Sequence, residues 1–499
     1  MVLGCWPNRL FTTNLIKQLK SLKMKLTLSF FLLMLCQALG AQTLYPEINQ
    51  EIEAGNFTKA QQLIGEKIQT AGLSSKEIYD LELQSAILDR IRLDFRKTEE
   101  EVKTVLAKYY PELSEGQLED WEATNELEMR MIDGEKRYFN NAVWNLFRIN
   151  AAAKKQKEAV DGKGNDKLAE FLKSHLPEVV SAAKREKQAL VLPETIRYTY
   201  TLKVKPDAVP DGEIIRAWMP YPRNDRGRLT NIRLLQSSET NYVCSPEDYF
   251  HSSIYMEKRA VKGEWTVFEY QVEYQAYNEW NDLWTADIQP YYTESDFYKY
   301  YTSERETHIR FTDKLKALSE KIVGNETVPL KKAWLIYQWI GENVPWASAL
   351  EYSTMPDIPS YCIDNKSGDC GMKALLFITL CRYNGIPAKW QSGWFLYPVS
   401  KNLHDWTEIY FEGPGWVPVD PDFNMQDIEE KDAARFFFGG ADAYRLIVND
   451  DYSRDFFPAK IHHRSETVDF QRGEVEWRGG NLYFNQWRYS MQPEFSNQK

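Results

Sequence analysis

At Pro193 the hydrophobic period of this chain changes, and that change limits what each half can become. Upstream, over residues about 45–190, apolar residues recur three and four apart. Ile48, Ile52, Phe57, Ala60, Leu63 and Ile64 form one such set, and Ile78, Leu81, Leu83, Ile87, Leu88 and Ile91 another. Such spacing is the stripe of an amphipathic helix. The segment Ala54 to Ala60 suggests a helical hairpin of tetratricopeptide type, but no 34-residue period follows it. Downstream, Thr195 to Val204 alternates and is rich in β-branched and aromatic residues, as do Glu213 to Met219 and Trp265 to Tyr277. These read as half-buried strands. Turn clusters at Pro206-Asp207, Pro210-Asp211-Gly212, Asn224-Asp225 and Lys262-Gly263 separate them, which predicts a small antiparallel sandwich.

From about residue 310 the pattern becomes helix, helix, then strands. Ala333 to Asn343 makes one helix and Cys370 to Asn384 a second, stopped by Asn384-Gly385 with Pro387 just beyond. Strands follow at Ala388 to Tyr397, Asp405 to Phe411 and Trp416 to Val419, with Glu412-Gly413-Pro414-Gly415 as a turn. Near the end, Glu474 to Trp477 and Leu482 to Trp487 predict a hairpin around Gly479-Gly480-Asn481. A chain of 499 residues is too long for one ordinary core. The expected plan is multidomain α+β: a helical region at 42–190, a β-sandwich at 194–288, a helix-then-antiparallel-sheet domain at 289–450, and an extension with a β-hairpin at 451–499.

The N-terminus predicts export. Lys23 and Lys25 precede an apolar run from Leu26 to Leu35, and the small residues Ala38, Gly40 and Ala41 follow. The run is long enough for a signal core and too short to span a bilayer. Residues 1–41 therefore read as a signal peptide, with Met24 a candidate start. Leu35 before Cys36 disfavours a lipid anchor there. The protein is expected in the periplasm or outside the cell, with no integral membrane segment after signal removal. Without residues 1–41 the chain keeps 56 basic against 72 acidic residues, which argues against nucleic acid as a partner.

Three short stretches carry chemistry: Ser367-Gly368-Asp369-Cys370-Gly371, His404-Asp405-Trp406-Thr407-Glu408 and Pro418-Val419-Asp420-Pro421. In this order they supply a thiol nucleophile, an imidazole base and a carboxylate that orients the base. Asp422 and Asp405 compete with Asp420 for that last role. Cys370 at the first turn of its helix would feel the positive end of the helix dipole, which favours thiolate. Gly368 and Gly371 would leave room for a substrate carbonyl, and the Cys370 amide could donate to an oxyanion. Only four cysteines follow residue 41 (Cys244, Cys362, Cys370, Cys381) and six histidines exist in all. Neither a disulfide framework nor a zinc spacing emerges, and no metal or other cofactor is expected.

At these residues the chain resembles bacterial transglutaminase-like proteins of the papain-like thiol superfamily. The resemblance rests on Gly368-Asp369-Cys370-Gly371 with its helix through Gly385-Ile386-Pro387-Ala388, on His404 to Glu408, and on Gly415 to Asp420. Upstream, Ile336 to Ile340 and Asn343-Val344-Pro345-Trp346 resemble the helix and turn before the family's nucleophile. It implies a papain-like catalytic domain with Cys370 as nucleophile, His404 as base and Asp420 as orienting acid. It further implies a second oxyanion donor, with Trp346 as the candidate and Tyr361 and Gln391 behind it. Asp364 to Asp369 is not a complete calcium loop, so calcium dependence does not carry over. The implied function is an exported thiol acyltransferase, peptidase or amidohydrolase on protein or peptide amides, with hydrolysis favoured over cross-linking. The alternative is a catalytically idle binding or assembly protein that uses its helical and sandwich domains as partner surfaces.

Overall fold

The computed structural model describes residues 45–495; the signal-like segment 1–41, with Cys36, lies outside the described residues. The chain divides into two compact units. The first takes residues up to 88 together with 130–136, and the second takes 89–129 and 137 onward.

In the first unit, helices Pro46–Glu53 and Phe57–Ile68 form a hairpin. Ile48, Ile64 and Leu81 are its buried centre, with Ile52 and Leu63 packed against them. Gly55, at φ +77, makes the turn, and a Cβ there would lie 2.3 Å from the Met131 carbonyl oxygen. Residue 55 must therefore be small as well as left-handed.

The second unit holds helices Glu99–Ala107, Glu115–Ala123, Ala142–Ile149, Ala151–Asp161 and Lys167–Glu186 before the sheets. The strands of the chain are β1 (Met129–Ile132), β2 (Glu135–Tyr138), β3 (Leu190–Val204), β4 (Ile214–Pro220), β5 (Leu229–Ser237), β6 (Tyr242–Cys244), β7 (Ser253–Arg259) and β8 (Thr266–Trp280). They continue as β9 (Ala388–Tyr397), β10 (Ser400–Phe411), β11 (Gly415–Val419), β12 (Gly440–Ala441), β13 (Arg445–Asn449), β14 (Glu474–Trp477), β15 (Gly480–Leu482) and β16 (Trp487–Phe495). One five-stranded sheet runs β12-β8-β3-β16, with β5 also on β8; the other runs β15-β14-β4-β7-β6. Strands β3 and β8 pair with Tyr200 opposite Tyr270 and Leu202 opposite Phe268. Ile196, Tyr198, Tyr200, Leu202 and Val204 are all buried at period two, as the alternation requires. The C-terminal residues are built into this sandwich: β14 pairs with β4, and β16 runs along β3.

A third, four-stranded antiparallel sheet, β11-β10-β9-β13, carries the motifs. Helix Cys370–Tyr383 packs against it and is apolar on nearly every side, with Gly371 through Arg382 all buried. That is the signature of a helix inside a core. Trp394, Trp406 and Leu446 of the third sheet and Trp218, Tyr200 and Tyr270 of the sandwich belong to one continuous hydrophobic cluster. Among the described residues no helix is long and apolar enough to cross a membrane.

Strands β9 and β13 approach closely at Gly393, where a Cβ would sit 1.9 Å from the Leu446 carbonyl oxygen. Neither backbone can yield without breaking the pairing. Gly393→Ala is expected to cost about 3 kcal/mol or more in urea unfolding, or to prevent folding. Gly116→Ala, in an exposed helix where nothing lies within 4 Å, should instead gain about 0.5–1 kcal/mol.

Candidate functional site

Strand β10 begins at Ser400 rather than at the expected Asp405, so His404 lies within the strand, paired with Gly393 of β9. Val419 lies opposite Thr407, and Asp420 leaves β11 beside the strand that carries His404. His404 Nε2 is 2.7 Å from Asp420 Oδ2. The imidazole is almost fully buried, flanked by Trp406 at 6.0 Å and Phe423 at 4.9 Å between ring centres.

Asp420 is held on every side. Its Oδ1 accepts from the backbone N–H groups of Asp422 (2.9 Å) and Phe423 (3.0 Å), and Arg445 Nη1 stands 2.8 Å from Oδ2. Burial alone would raise its pKa, but the charges of His404 and Arg445 and the backbone donors bring it down to about 2. Asp422, the competing acid, turns to Lys373 Nζ at 2.8 Å.

Cys370 opens its helix. Asp369 caps that helix, accepting from the Met372 N–H at 3.1 Å. The thiol is half-buried on the wall of a cavity of about 370 Å³ that His404, Asp405 and Trp346 also line. Its Sγ donates to Asp405 Oδ2 at 3.3 Å. One sulfur, one His404 ring nitrogen and one Asp422 oxygen lie within 4.8 Å of one another. That donor set could take a metal ion, but Asp422 is already paired with Lys373.

Two expectations need correction. The helix dipole does not decide the state of the thiol: burial first, then Asp405, Asp369 and Asp422, push Cys370 well above an ordinary thiol. Nor do the glycines leave room for substrate. A Cβ on Gly371 would meet the Tyr352 hydroxyl at 2.1 Å, and one on Gly368 would meet the Met372 Cβ at 2.8 Å; protein side chains already fill both spaces.

Of the oxyanion candidates, Trp346 is 39% exposed at the cavity, its ring covered by Arg148 at 4.6 Å. Tyr361 donates to Glu128 (2.6 Å). Gln391 is buried among Asp225, Asp450 and Trp406. Sequence reasoning missed Tyr352, Arg445, Asp469 and Gln471. Tyr352 donates to Asp369 Oδ1 (2.8 Å), and Gln471 Nε2 donates to Asp405 Oδ1 (2.6 Å) and the His404 carbonyl (2.9 Å). No local pattern marks any of these four, because each reaches the site only through tertiary folding.

The cavity wall makes stability depend on pH in a definite direction. Burial lifts Asp369 from its ordinary 3.8 to about 7, against the lowering hydrogen bond from Tyr352. The folded protein then holds a proton that the unfolded chain releases near 3.8, so this group subtracts stability as pH rises from about 4 to about 7. Asp420 has the opposite sign, and its contribution is lost only as pH falls toward about 2. Buried His251 and His308 and half-buried His463, all held below the ordinary imidazole range, act with the opposite sign, so the test is a difference: the thermal midpoint of Asp369→Asn, which can still cap the helix, should gain on that of wild type as pH rises from about 5 to about 8. A difference that shrinks over that span would contradict this account.

Residues 316–421 match the profile of the Transglutaminase-like superfamily. An uncharacterized protein of Haemophilus influenzae is 29% identical over 182 residues, covering 30% of this chain and 49% of that protein. The uncharacterized protein YebA of Bacillus subtilis is 24% identical over 128 residues, covering 22% of this chain and 17% of that protein. The chain thus spans about half, or less, of the length of these curated relatives. Among solved structures, a proposed cysteine protease from Cytophaga hutchinsonii shares 15% identity at a TM-score of 0.41, with 62% of this chain and 93% of that chain covered. The periplasmic domain of TgpA from Pseudomonas aeruginosa shares 15% identity at a TM-score of 0.26, with 50% and 91% covered. These structural likenesses are distant. The profile match falls on the helix, strand and turn that carry Cys370, His404 and Asp420, and the chain is a multidomain α+β protein with a transglutaminase-like core at residues 316–421.

Proposed function

We propose that this protein is an exported thiol enzyme that acts on protein or peptide amides through an acyl-cysteine intermediate, with hydrolysis favoured over cross-linking. One observation carries the reading. His404 presents a ring nitrogen within 4.8 Å of the Cys370 sulfur while its Nε2 is fixed by Asp420 at 2.7 Å. With Nε2 engaged, Nδ1 is the nitrogen that takes the thiol proton. The thiolate attacks the amide carbon and the carbonyl oxygen becomes an oxyanion. His404 then returns the proton to the leaving amine, and a thioester remains on Cys370. The Cys370 amide and Trp346 Nε1 are the proposed oxyanion donors, the first because initial helix N–H groups have no partner within the helix. Asp420 keeps the imidazole in one tautomer and steadies its positive form.

Water or an amine can resolve the thioester. Hydrolysis is favoured because the half-buried thiol sits on a cavity open to solvent. The export assignment, to the periplasm or beyond the cell, rests on the signal-like residues before position 42.

The test incubates wild type and Cys370→Ala with casein and excess labelled primary amine, followed by intact-mass spectrometry. Casein fragments, or one mass unit gained per glutamine, with wild type alone would establish a hydrolase; incorporated amine would establish a transferase. His404→Ala should lower the rate by about 10²–10⁴-fold. Unchanged casein, together with Cys370 alkylation no faster than that of an ordinary cysteine, would sink the catalytic reading and favour the binding protein.

A further inference from the structure

The cavity at Cys370 is charged in one direction. Six carboxylates line it against one cation, Arg472. Five of the six have protein partners that account for them. Arg472 Nη1 takes Glu351 at 2.9 Å and Lys373 takes Asp422 at 2.8 Å. Tyr352 and the Met372 amide take Asp369, and Gln471 takes Asp405. Glu466 accepts from the Val468 N–H at 3.0 Å and has Arg472 at 3.5 Å.

Asp469 differs. It is only 6% exposed, and it lines the cavity. Among the described residues no N–H donor reaches its carboxylate; its hydrogen-bond contact is with another carboxyl, that of Asp405. Two carboxyls in contact inside a wall must share a proton or take a cation. The charges of Arg472 and Arg464 act on Asp469 from nearby, but neither guanidinium hydrogen-bonds its carboxylate: Arg472 holds Glu351, and Arg464 donates to the Asp469 and Arg454 carbonyls.

We propose that Asp469, with Asp405 and Glu466, forms a subsite for an ammonium or guanidinium group, so that the enzyme selects peptide amides bearing a basic group about one side chain from the scissile bond. This rests on Cys370 as the nucleophile and adds a substrate class to it. A cavity of about 370 Å³ is large enough for a basic side chain. Asp405 links the two functions, because its Oδ2 holds the Cys370 thiol while its carboxyl touches Asp469. A cation that draws charge from Asp405 frees the thiol proton for His404, so the correct substrate also prepares the nucleophile. Burial, reinforced for Asp405 and Glu466 by neighbouring carboxylates, pushes all three acids above their ordinary range. Protons therefore compete with the cation.

The test needs no turnover. Full-length protein is treated separately with neutral methyl methanethiosulfonate, its cationic trimethylammonium-ethyl analogue and its anionic sulfonatoethyl analogue. Labelling of Cys370 is read by peptide mass mapping, and each rate is divided by that reagent's rate with 2-mercaptoethanol. The cationic reagent should exceed the neutral by about tenfold and the anionic by about a hundredfold. Asp469→Asn, or Glu466→Gln if the first variant does not fold, should bring the three within about threefold of each other. Equal normalised rates in wild type would overturn the subsite while leaving the nucleophile intact, and so would a preference that survives both variants. A preference abolished by calcium chloride and restored by chelator would assign the carboxylates to a metal ion and also overturn it. If the neutral reagent labels Cys370 no faster than exposed Cys244, it is the nucleophile reading that fails.

Discussion

The carboxylate of Asp420 is where three segments of the fold are tied together. It sits just past β11, its Oδ2 meets the imidazole from β10 and the guanidinium from β13, and its Oδ1 takes the two backbone N–H groups that follow it. Arg445 is fully buried, with Phe423 at 4.5 Å and Phe437 at 4.7 Å from its guanidinium carbon. A buried guanidinium is tolerable only beside an anion, and a buried anion only beside donors. Each of these groups therefore requires the others. The result is an imidazole whose tilt and tautomer are set before any substrate arrives.

Behind β10 lies a second buried ionic network that does the same for the strand itself. Glu408, wholly buried, meets Arg226 and Lys389, and Lys389 reaches Asp450 at 2.6 Å. Lys389 and Glu408 face each other across β9 and β10. A slip of one residue would turn Glu408 toward the opposite face and take from Lys389 and Arg226 the carboxylate they share. Such a pair adds little net stability, since desolvation offsets most of the attraction. Its use is to make wrong registers costly. His404, four residues along the same strand, inherits that fixed register.

Much of this was legible in the sequence because it is local. The helix of Cys370 with its stop at Asn384-Gly385, the alternation in β3 and β8, and the strand on which His404 lies all follow from short-range periodicity. The pairing of His404 with Asp420 came from motif order and the resemblance, not from periodicity, since three acids lie within reach and the choice among Asp420, Asp405 and Asp422 depends on cross-strand register. The same holds for β16, whose Tyr489 lies opposite Leu202. No pattern within either segment announces a partner so distant in the chain. Gly371 shows the limit most clearly: its smallness looked like space for substrate, yet it serves the Tyr352 hydroxyl, and nothing near Tyr352 in sequence points to Gly371.

The thiol is a contest between two fields of known size. A helix N-terminus favours an anion by about 0.3–2 kcal/mol. A carboxylate whose oxygen stands 3.3 Å from the sulfur disfavours it by about 5 kcal/mol at an effective dielectric of about 20. Asp405 wins, so Cys370 and Asp405 cannot both be ionised at rest, and each is pushed well above its ordinary pKa, burial first and the other carboxylates of the wall next. A resting thiolate is therefore not what this site stores. It stores a neutral thiol beside an oriented base, and the thiolate forms only when the proton moves toward His404 or when charge on Asp405 is offset by something entering the cavity. That order of events protects the sulfur, because a protonated thiol is a poor nucleophile until the site is filled.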